Sequence, residues 1–123
     1  MNHNKSFLDL VRDALSRVSE IDAIQLSKKI EGQENIYIID TREDREWVKG
    51  RIPQSIHLGK GIIERDIENS IPDRESEIIL YCQGGFRSAL AADNLLKMGY
   101  SKPISLSGGF GDWVSNKFEV EID

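Results

Sequence analysis

The single cysteine of this chain stands in a segment whose residue types suit nucleophilic chemistry. Cys82 follows an apolar run, and the next six residues are Gln83-Gly84-Gly85-Phe86-Arg87-Ser88. A thiolate is a strong nucleophile, and glycines let several backbone N–H groups turn toward one point and bind an anion there. Arg87 adds a permanent positive charge with a planar fork suited to oxyanions. The segment therefore predicts an anion-binding loop around a reactive sulfur.

The same cysteine could instead be a small core residue at the end of a strand, since free cysteine is among the most buried residue types. Its neighbours favour the functional interpretation. The helix expected to begin near Arg87 presents unsatisfied N–H groups and the positive end of its dipole to the thiol. Such a field favours the thiolate form of Cys82, which is the form that attacks.

Alternating strand and helix patterns provide the scaffold for this loop. Short apolar runs predict strands at residues 35–40, 55–58, 77–82 and 103–107. Helical spacing of apolar residues predicts helices at residues 6–18, 22–31, 43–50, 62–68, 87–98 and 111–116. The alternation indicates an open α/β sheet with helices on both faces. Reactive groups in such sheets collect at the carboxyl ends of strands, where Cys82 is expected to lie.

Composition and charge exclude several classes of protein. The 123 residues suffice for about one domain. The net charge of −5 argues against a general nucleic-acid binder, and the apolar runs are too short to span a membrane. Residues 1–13 lack the pattern of a secretory signal, and a lone cysteine fits a reducing compartment. We therefore expect a cytoplasmic protein that binds neither nucleic acid nor membrane.

Three stretches, in order along the chain, resemble the signatures of the rhodanese-like sulfurtransferases. Residues 82–88 (CQGGFRS) are similar to the family's cysteine and the six-residue active-site loop after it. Residues 40–42 (DTR), 46–47 (EW) and 50–53 (GRIP) resemble the first signature, although the histidine and one glycine of its Gly-His-Ile-Pro-Gly-Ala turn are absent. Residues 107–113 (SGGFGDW) resemble the closing signature. The resemblance covers about residues 20–116.

This resemblance implies a rhodanese-like fold, which is an open, mainly parallel five-stranded α/β sheet, and a sulfur-transfer reaction. In the family, the thiolate takes the outer sulfur of a donor such as thiosulfate, holds it as a persulfide and passes it to a thiophilic acceptor. Cys82 would be this nucleophile, the N–H groups of Gln83 to Ser88 would bind the terminal sulfur, and Arg87 would orient the donor. Side chains at Gln83 and Phe86 would tune substrate choice.

The implied partners are a small anionic sulfur donor and a thiol or cyanide acceptor, and a protein could serve as donor or acceptor. No cofactor and no metal is implied. His3 and His57 lie far apart in the chain and, with one cysteine, lack the spacing of a metal site.

Two other functions stay open. Some rhodanese-like domains are non-catalytic binding or regulatory modules, although these commonly replace the cysteine that is present here. Cysteine-dependent phosphatases and arsenate reductases use a similar loop with five residues between cysteine and arginine, and this chain has four. The shorter spacing suits a single sulfur better than a tetrahedral phosphate.

Residues 1–19 are predicted to form an N-terminal amphipathic helical extension to a rhodanese-like domain at residues 20–123. Ser6 with Asp9 resembles a capping box at its start. The simplest expectation is that its apolar stripe packs on the domain; the alternative is that it docks a partner or a second copy.

Several charged and aromatic side chains outside the loop have structural interpretations. Asp40 and Arg42 are expected to form an ion pair at a strand end. Trp47 and Trp113 are expected to be core aromatics. Lys60 and Arg65 could reach the mouth of the loop or simply lie on a solvated helix face.

Overall fold

Five short strands form one sheet in which every neighbouring pair runs parallel. The computed structural model describes residues 3–123. The strands are β1 (Ser19–Ile21), β2 (Ile36–Asp40), β3 (Ser55–His57), β4 (Glu77–Tyr81) and β5 (Lys102–Leu106). Their order across the sheet is β1-β5-β4-β2-β3. The predicted α/β class and parallel five-stranded sheet are confirmed.

Helices cover both faces of this sheet. They are α1 (Lys5–Leu15), α2 (Ala23–Glu31), α3 (Asp44–Trp47), α4 (Ile63–Ser70), α5 (Phe86–Lys97) and α6 (Gly109–Ser115). Successive strand residues point to opposite faces. Ile39 and Leu80 pack with α4 and α5 in one core cluster, whereas Ile38 and Ile79 pack with α2 and α6 in the other. None of the helices in the described part of the chain has the length and hydrophobicity needed to cross a bilayer.

The four strands located by sequence are present, with their ends shifted by at most one residue. β1 was not located, because its Ser-Glu-Ile sequence is short and mostly exposed, so it carries no apolar run. The cap of α2 follows its sequence signal: the Asp22 side chain accepts from the Gln25 N–H, and the Gln25 side chain accepts from the Asp22 N–H.

The predicted capping box at Ser6 is wrong. The first helix begins one residue earlier, at Lys5, so Ser6 lies inside the first turn, and the N-cap position belongs to Asn4. Asn4 makes no side-chain capping hydrogen bond. A serine near a helix start gives this signal whether or not it occupies the cap position, because the pattern alone does not fix the first helical residue.

α1 packs on the domain, as expected from its apolar stripe. Val11 and Ala14 are buried, and α1 contacts α5. The chain then turns back, and Arg17 donates to both carboxylate oxygens of Asp93 on α5, at 2.9 and 2.8 Å. A buried apolar face and a bidentate ion pair therefore fix α1 against α5.

The loop between β5 and α6 packs against the backbone that follows β4. The Phe110 N–H donates to the Cys82 carbonyl at 2.8 Å, and the Gly111 N–H donates to the Gln83 carbonyl at 3.0 Å. Gly109 has φ +55°, and a side chain there would overlap both of these carbonyl groups. Glycine is required because the two loops approach too closely for a Cβ atom.

We expect Gly109→Ala to lower the free energy of unfolding by about 3 kcal/mol, because the new methyl group both strains the backbone and overlaps the facing carbonyls. Urea unfolding followed by circular dichroism measures the change. Gly61→Ala is the matched control, since no heavy atom lies within 4 Å of the added Cβ. The control should change stability by about 1 kcal/mol or less. Equal effects of both substitutions would contradict the close approach at Gly109.

A second prediction concerns Asp93. Its hydrogen bonds to Arg17 hold the pKa of this carboxyl below its ordinary value of 3.8. A lowered pKa stabilises the fold above pH 4, and the contribution is lost as the pH falls through the folded-state pKa. We expect Asp93→Asn to reduce the free energy of unfolding by about 1 kcal/mol at pH 7.

This difference should shrink when urea unfolding is repeated near pH 3. Asp13→Asn is the control, because Asp13 also binds Arg17 but its side chain is 64% exposed. The control should have the smaller effect at pH 7. A difference between wild type and Asp93→Asn that stays constant down to pH 3 would contradict this electrostatic contribution.

Candidate active site

Cys82 lies immediately beyond the carboxyl end of β4, and only 1% of its surface is exposed. Its Sγ atom accepts hydrogen bonds from the Gly85 N–H at 3.1 Å and the Ser88 N–H at 3.4 Å. Gly85 has φ +98° and is the N-cap residue of α5. The left-handed glycine lets the chain curl around the sulfur and enter the helix directly.

Other N–H groups of the same loop are unused. Those of Gln83, Gly84, Phe86 and Arg87 donate to no residue in the described range 3–123. The loop therefore gives two donors to the cysteine sulfur and keeps further donors for an atom bound beyond it. This is the arrangement expected of a loop that stabilises an anion through its backbone.

Two buried serine hydroxyls lie beneath the sulfur. The Ser88 Oγ is 3.5 Å from the Cys82 Sγ and 2.9 Å from the Ser105 Oγ on β5. Ser105 also donates to the Gly85 carbonyl at 3.5 Å. Ser105 was missed by sequence reasoning, because nothing local distinguishes a serine in a strand from one that contacts a distant loop.

Arg87 is already paired. Its guanidinium donates to both carboxylate oxygens of Glu46 on α3, at 3.0 and 3.2 Å. This pair holds the pKa of Glu46 below its ordinary value, so the carboxylate is ionised at neutral pH. The sequence indicated Arg87 as a cation that attracts a donor, but it did not reveal that Glu46 offsets this charge.

A cavity of about 620 Å³ opens in front of Cys82. Loop residues and the Glu46–Arg87 pair form part of its lining, and α1 with the residues before it forms the rest. The lining residues are His3, Phe7, Glu46, Cys82, Gln83, Gly84, Phe86 and Arg87. His3 and Phe7 belong to the predicted N-terminal extension, so sequence reasoning did not include them in the site.

A second cavity of about 800 Å³ lies on the other side of Arg87. Lys60 lines it, with its ammonium 3.4 Å from Glu64. Arg65 lines neither cavity and pairs with Asp66. Of the two cations considered from sequence, only Lys60 therefore approaches this region. Residues 3–123 contain no group of three or more side chains placed to hold a metal ion.

The other interpretations from sequence are partly confirmed. Asp40 and Arg42 form a buried ion pair, with Arg42 donating to both carboxylate oxygens. Trp113 is a core residue, with 3% of its surface exposed. The prediction for Trp47 is wrong: it is only partly buried, and it stacks on His57 at 4.9 Å with the Arg51 guanidinium 4.3 Å from its ring.

Comparison with known proteins agrees with this geometry. A protein of Bacillus subtilis, named as a proposed sulfurtransferase, is 35% identical over 96 residues, which cover 78% of this chain and 90% of that protein. A thiosulfate sulfurtransferase of Coxiella burnetii is 29% identical over 97 residues, which cover 79% and 85% of the two chains.

The fold is also similar to a solved structure from Rhodopseudomonas palustris, described as a protein of unknown function and possible tyrosine phosphatase. The two share a TM-score of 0.82 and 25% identity, and the match covers 98% of each chain. Residues 22–116 match the family described as the Rhodanese-like domain. This match spans more than half of the chain and includes the cysteine loop, β2 and α6. The chain therefore belongs to the rhodanese-like domain family.

Proposed function

We propose that this protein transfers a sulfane sulfur from a small anionic donor such as thiosulfate to a thiophilic acceptor, through a persulfide on Cys82. One observation carries the proposal. The loop places two N–H donors on the Cys82 sulfur, and the N–H groups of Gln83, Gly84, Phe86 and Arg87 remain free toward the described residues. A persulfide adds one sulfur atom beyond Sγ, where such donors are needed.

The reaction balances without a cofactor. The Cys82 thiolate attacks the outer sulfur of thiosulfate and forms a new S–S bond. The original S–S bond breaks, and its electron pair leaves with sulfite. An acceptor such as cyanide or a thiolate then attacks the terminal sulfur, and the electron pair of the persulfide bond returns to Cys82 as the thiolate.

Backbone donors support both steps because the charge passes through the terminal sulfur. N–H groups fixed in the loop stabilise this charge without reorganising during the reaction, and removing one such donor typically costs about 3–4 kcal/mol of transition-state stabilisation. The positive end of the α5 dipole acts in the same direction. Arg87 would contribute orientation, since its fork can bind a sulfonate oxygen if Glu46 shares it.

Phosphate-ester hydrolysis is the competing activity, because one structural relative is described as a possible tyrosine phosphatase. The shorter loop argues for sulfur transfer: four residues between Cys82 and Arg87 leave a smaller cradle than the five of cysteine phosphatases. A binding module without catalysis is the third possibility. The experiment below separates all three.

Cys82→Ser should abolish thiocyanate formation from thiosulfate and cyanide, with a loss of about a thousandfold or more, because the serine hydroxyl cannot carry sulfur. Mass spectrometry of the wild type after incubation with thiosulfate should show one added sulfur on Cys82. Circular dichroism of the variant controls for folding. Turnover that survives the substitution would refute the proposal. Hydrolysis of a phosphate ester alone would favour the phosphatase, and no activity with no added sulfur would favour the binding module.

The charge of Glu46 gives a further prediction. Glu46→Gln keeps the side chain's shape but removes the negative charge that competes with an anionic donor for Arg87. We expect KM for thiosulfate to fall by about threefold while kcat stays within about twofold. Steady-state kinetics near pH 8 measure both, and Glu46 is ionised there because its pKa is lowered mainly by the hydrogen bonds from Arg87.

Glu43→Gln is the matched control, since it removes the same charge three residues away and Glu43 pairs with Arg45 rather than Arg87. The control should leave KM unchanged. A higher KM in Glu46→Gln than in the control would mean that Glu46 helps to bind the donor instead of competing with it.

A further inference from the structure

We infer that α1 forms one wall of the active site and that Phe7 selects sulfur donors that carry an apolar organic group next to the reacting sulfur. This inference rests on the proposed function and names the substrate class for the same site. α1 lies before residue 22, where the family match begins, so the domain match alone assigns it no role.

An aromatic cluster joins α1 to the cysteine loop. The ring of Phe7 on α1 lies 6.1 Å from the ring of Phe86 in an edge-to-face arrangement, measured between centroids. The His3 ring lies 4.9 Å from Phe86 and 5.3 Å from Phe7. All three rings line the same cavity as Cys82. The helix therefore contributes directly to the space that a substrate enters.

The position of Phe7 is set before any ligand arrives. Val11 and Ala14, one and two turns further along α1, are 3% and 1% exposed. Arg17 fixes the segment after the helix through its two hydrogen bonds to Asp93. Phe7 itself is partly exposed, as a ring that faces both a neighbour and a cavity should be. A ring held in this way binds a ligand at a low entropic cost.

The size and charge of the cavity point to an organic donor. Thiosulfate has five heavy atoms and occupies roughly the space of five water molecules, about 150 Å³ at about 30 Å³ each. The cavity holds about 620 Å³ and is lined by aromatic rings at its outer part. The charge of Arg87 is offset by Glu46. A monoanionic donor with an apolar body therefore uses surface that inorganic thiosulfate leaves unfilled.

An organic thiosulfonate represents this class. The Cys82 thiolate bonds to its outer sulfur, the bond between the outer sulfur and the sulfonyl sulfur breaks, and the electron pair leaves with the organic sulfinate. Cyanide then removes the sulfur as thiocyanate and restores the thiolate. The persulfide and acceptor step are the same as with thiosulfate, so only the donor's organic group differs.

The test compares benzenethiosulfonate with methanethiosulfonate on the full chain, with thiocyanate as the product measured. Phe7→Ala should lower kcat/KM for benzenethiosulfonate about fivefold relative to its effect on methanethiosulfonate, because the phenyl ring loses its aromatic contact. The change should appear in KM, since this contact forms equally in the ground and transition states. Leu10→Ala is the control: Leu10 lies on the same helix, is 56% exposed and lines no part of the cavity, so both donors should be unaffected.

Each result decides between the two levels of the hypothesis. If Phe7→Ala reduces turnover of both donors equally, or of neither, then α1 does not select the donor and the inference is overturned, while Cys82-dependent turnover still stands. If Cys82→Ser retains turnover of both donors, the sulfur-transfer proposal fails, and the inference fails with it. A selective loss in Phe7→Ala, absent in Leu10→Ala, supports it.

Discussion

The buried ion pair between Asp40 and Arg42 organises the edge of the sheet on which the site depends. Arg42 grips both carboxylate oxygens at the end of β2, donates to the Gly50 carbonyl at 2.6 Å and lies 4.2 Å from the ring of Phe110 on α6. The chain from Arg42 to Gly50 is thereby closed into a loop that carries α3 and turns Glu46 toward Arg87. Losing either partner would strand a buried charge, at a typical cost of about 3–5 kcal/mol.

The second guanidinium is neutralised too, so the site acts on anions mainly through backbone dipoles. Arg87 and Glu46 form a pair that leaves little free positive charge in front of Cys82. The N–H groups of the loop are fixed and carry no counterion, and they point at one atom. Such a site distinguishes ligands by where charge lies and by the shape of the rest of the molecule. This fits a chain whose net charge is −5, because an acidic surface does not attract anions from a distance.

Local sequence patterns predicted the scaffold and the loop, because both depend on neighbours in the chain. The Asp22 cap, the apolar runs of β2 and β4 and the spacing from Cys82 to Arg87 are signals of this kind. The side chains around the loop depend instead on distant contacts. Glu46 meets Arg87 across 41 residues, Ser105 meets Ser88 across 17, and Phe7 reaches Phe86 from a helix before the matched domain. Nothing in their own segments marks these residues as members of one site.

The two serines beneath the sulfur give the site a reversible polarity. When Cys82 is negative, the Ser88 hydroxyl donates to the sulfur and the Ser105 hydroxyl donates to Ser88; when the sulfur is neutral, Ser88 can donate to Ser105, and Ser105 to the Gly85 carbonyl. Both serines are fully buried. Rotating two O–H bonds thus compensates a change of charge while every heavy atom stays in place. The protein supplies, where solvent does not reach, the rapid dipole response that bulk water provides elsewhere.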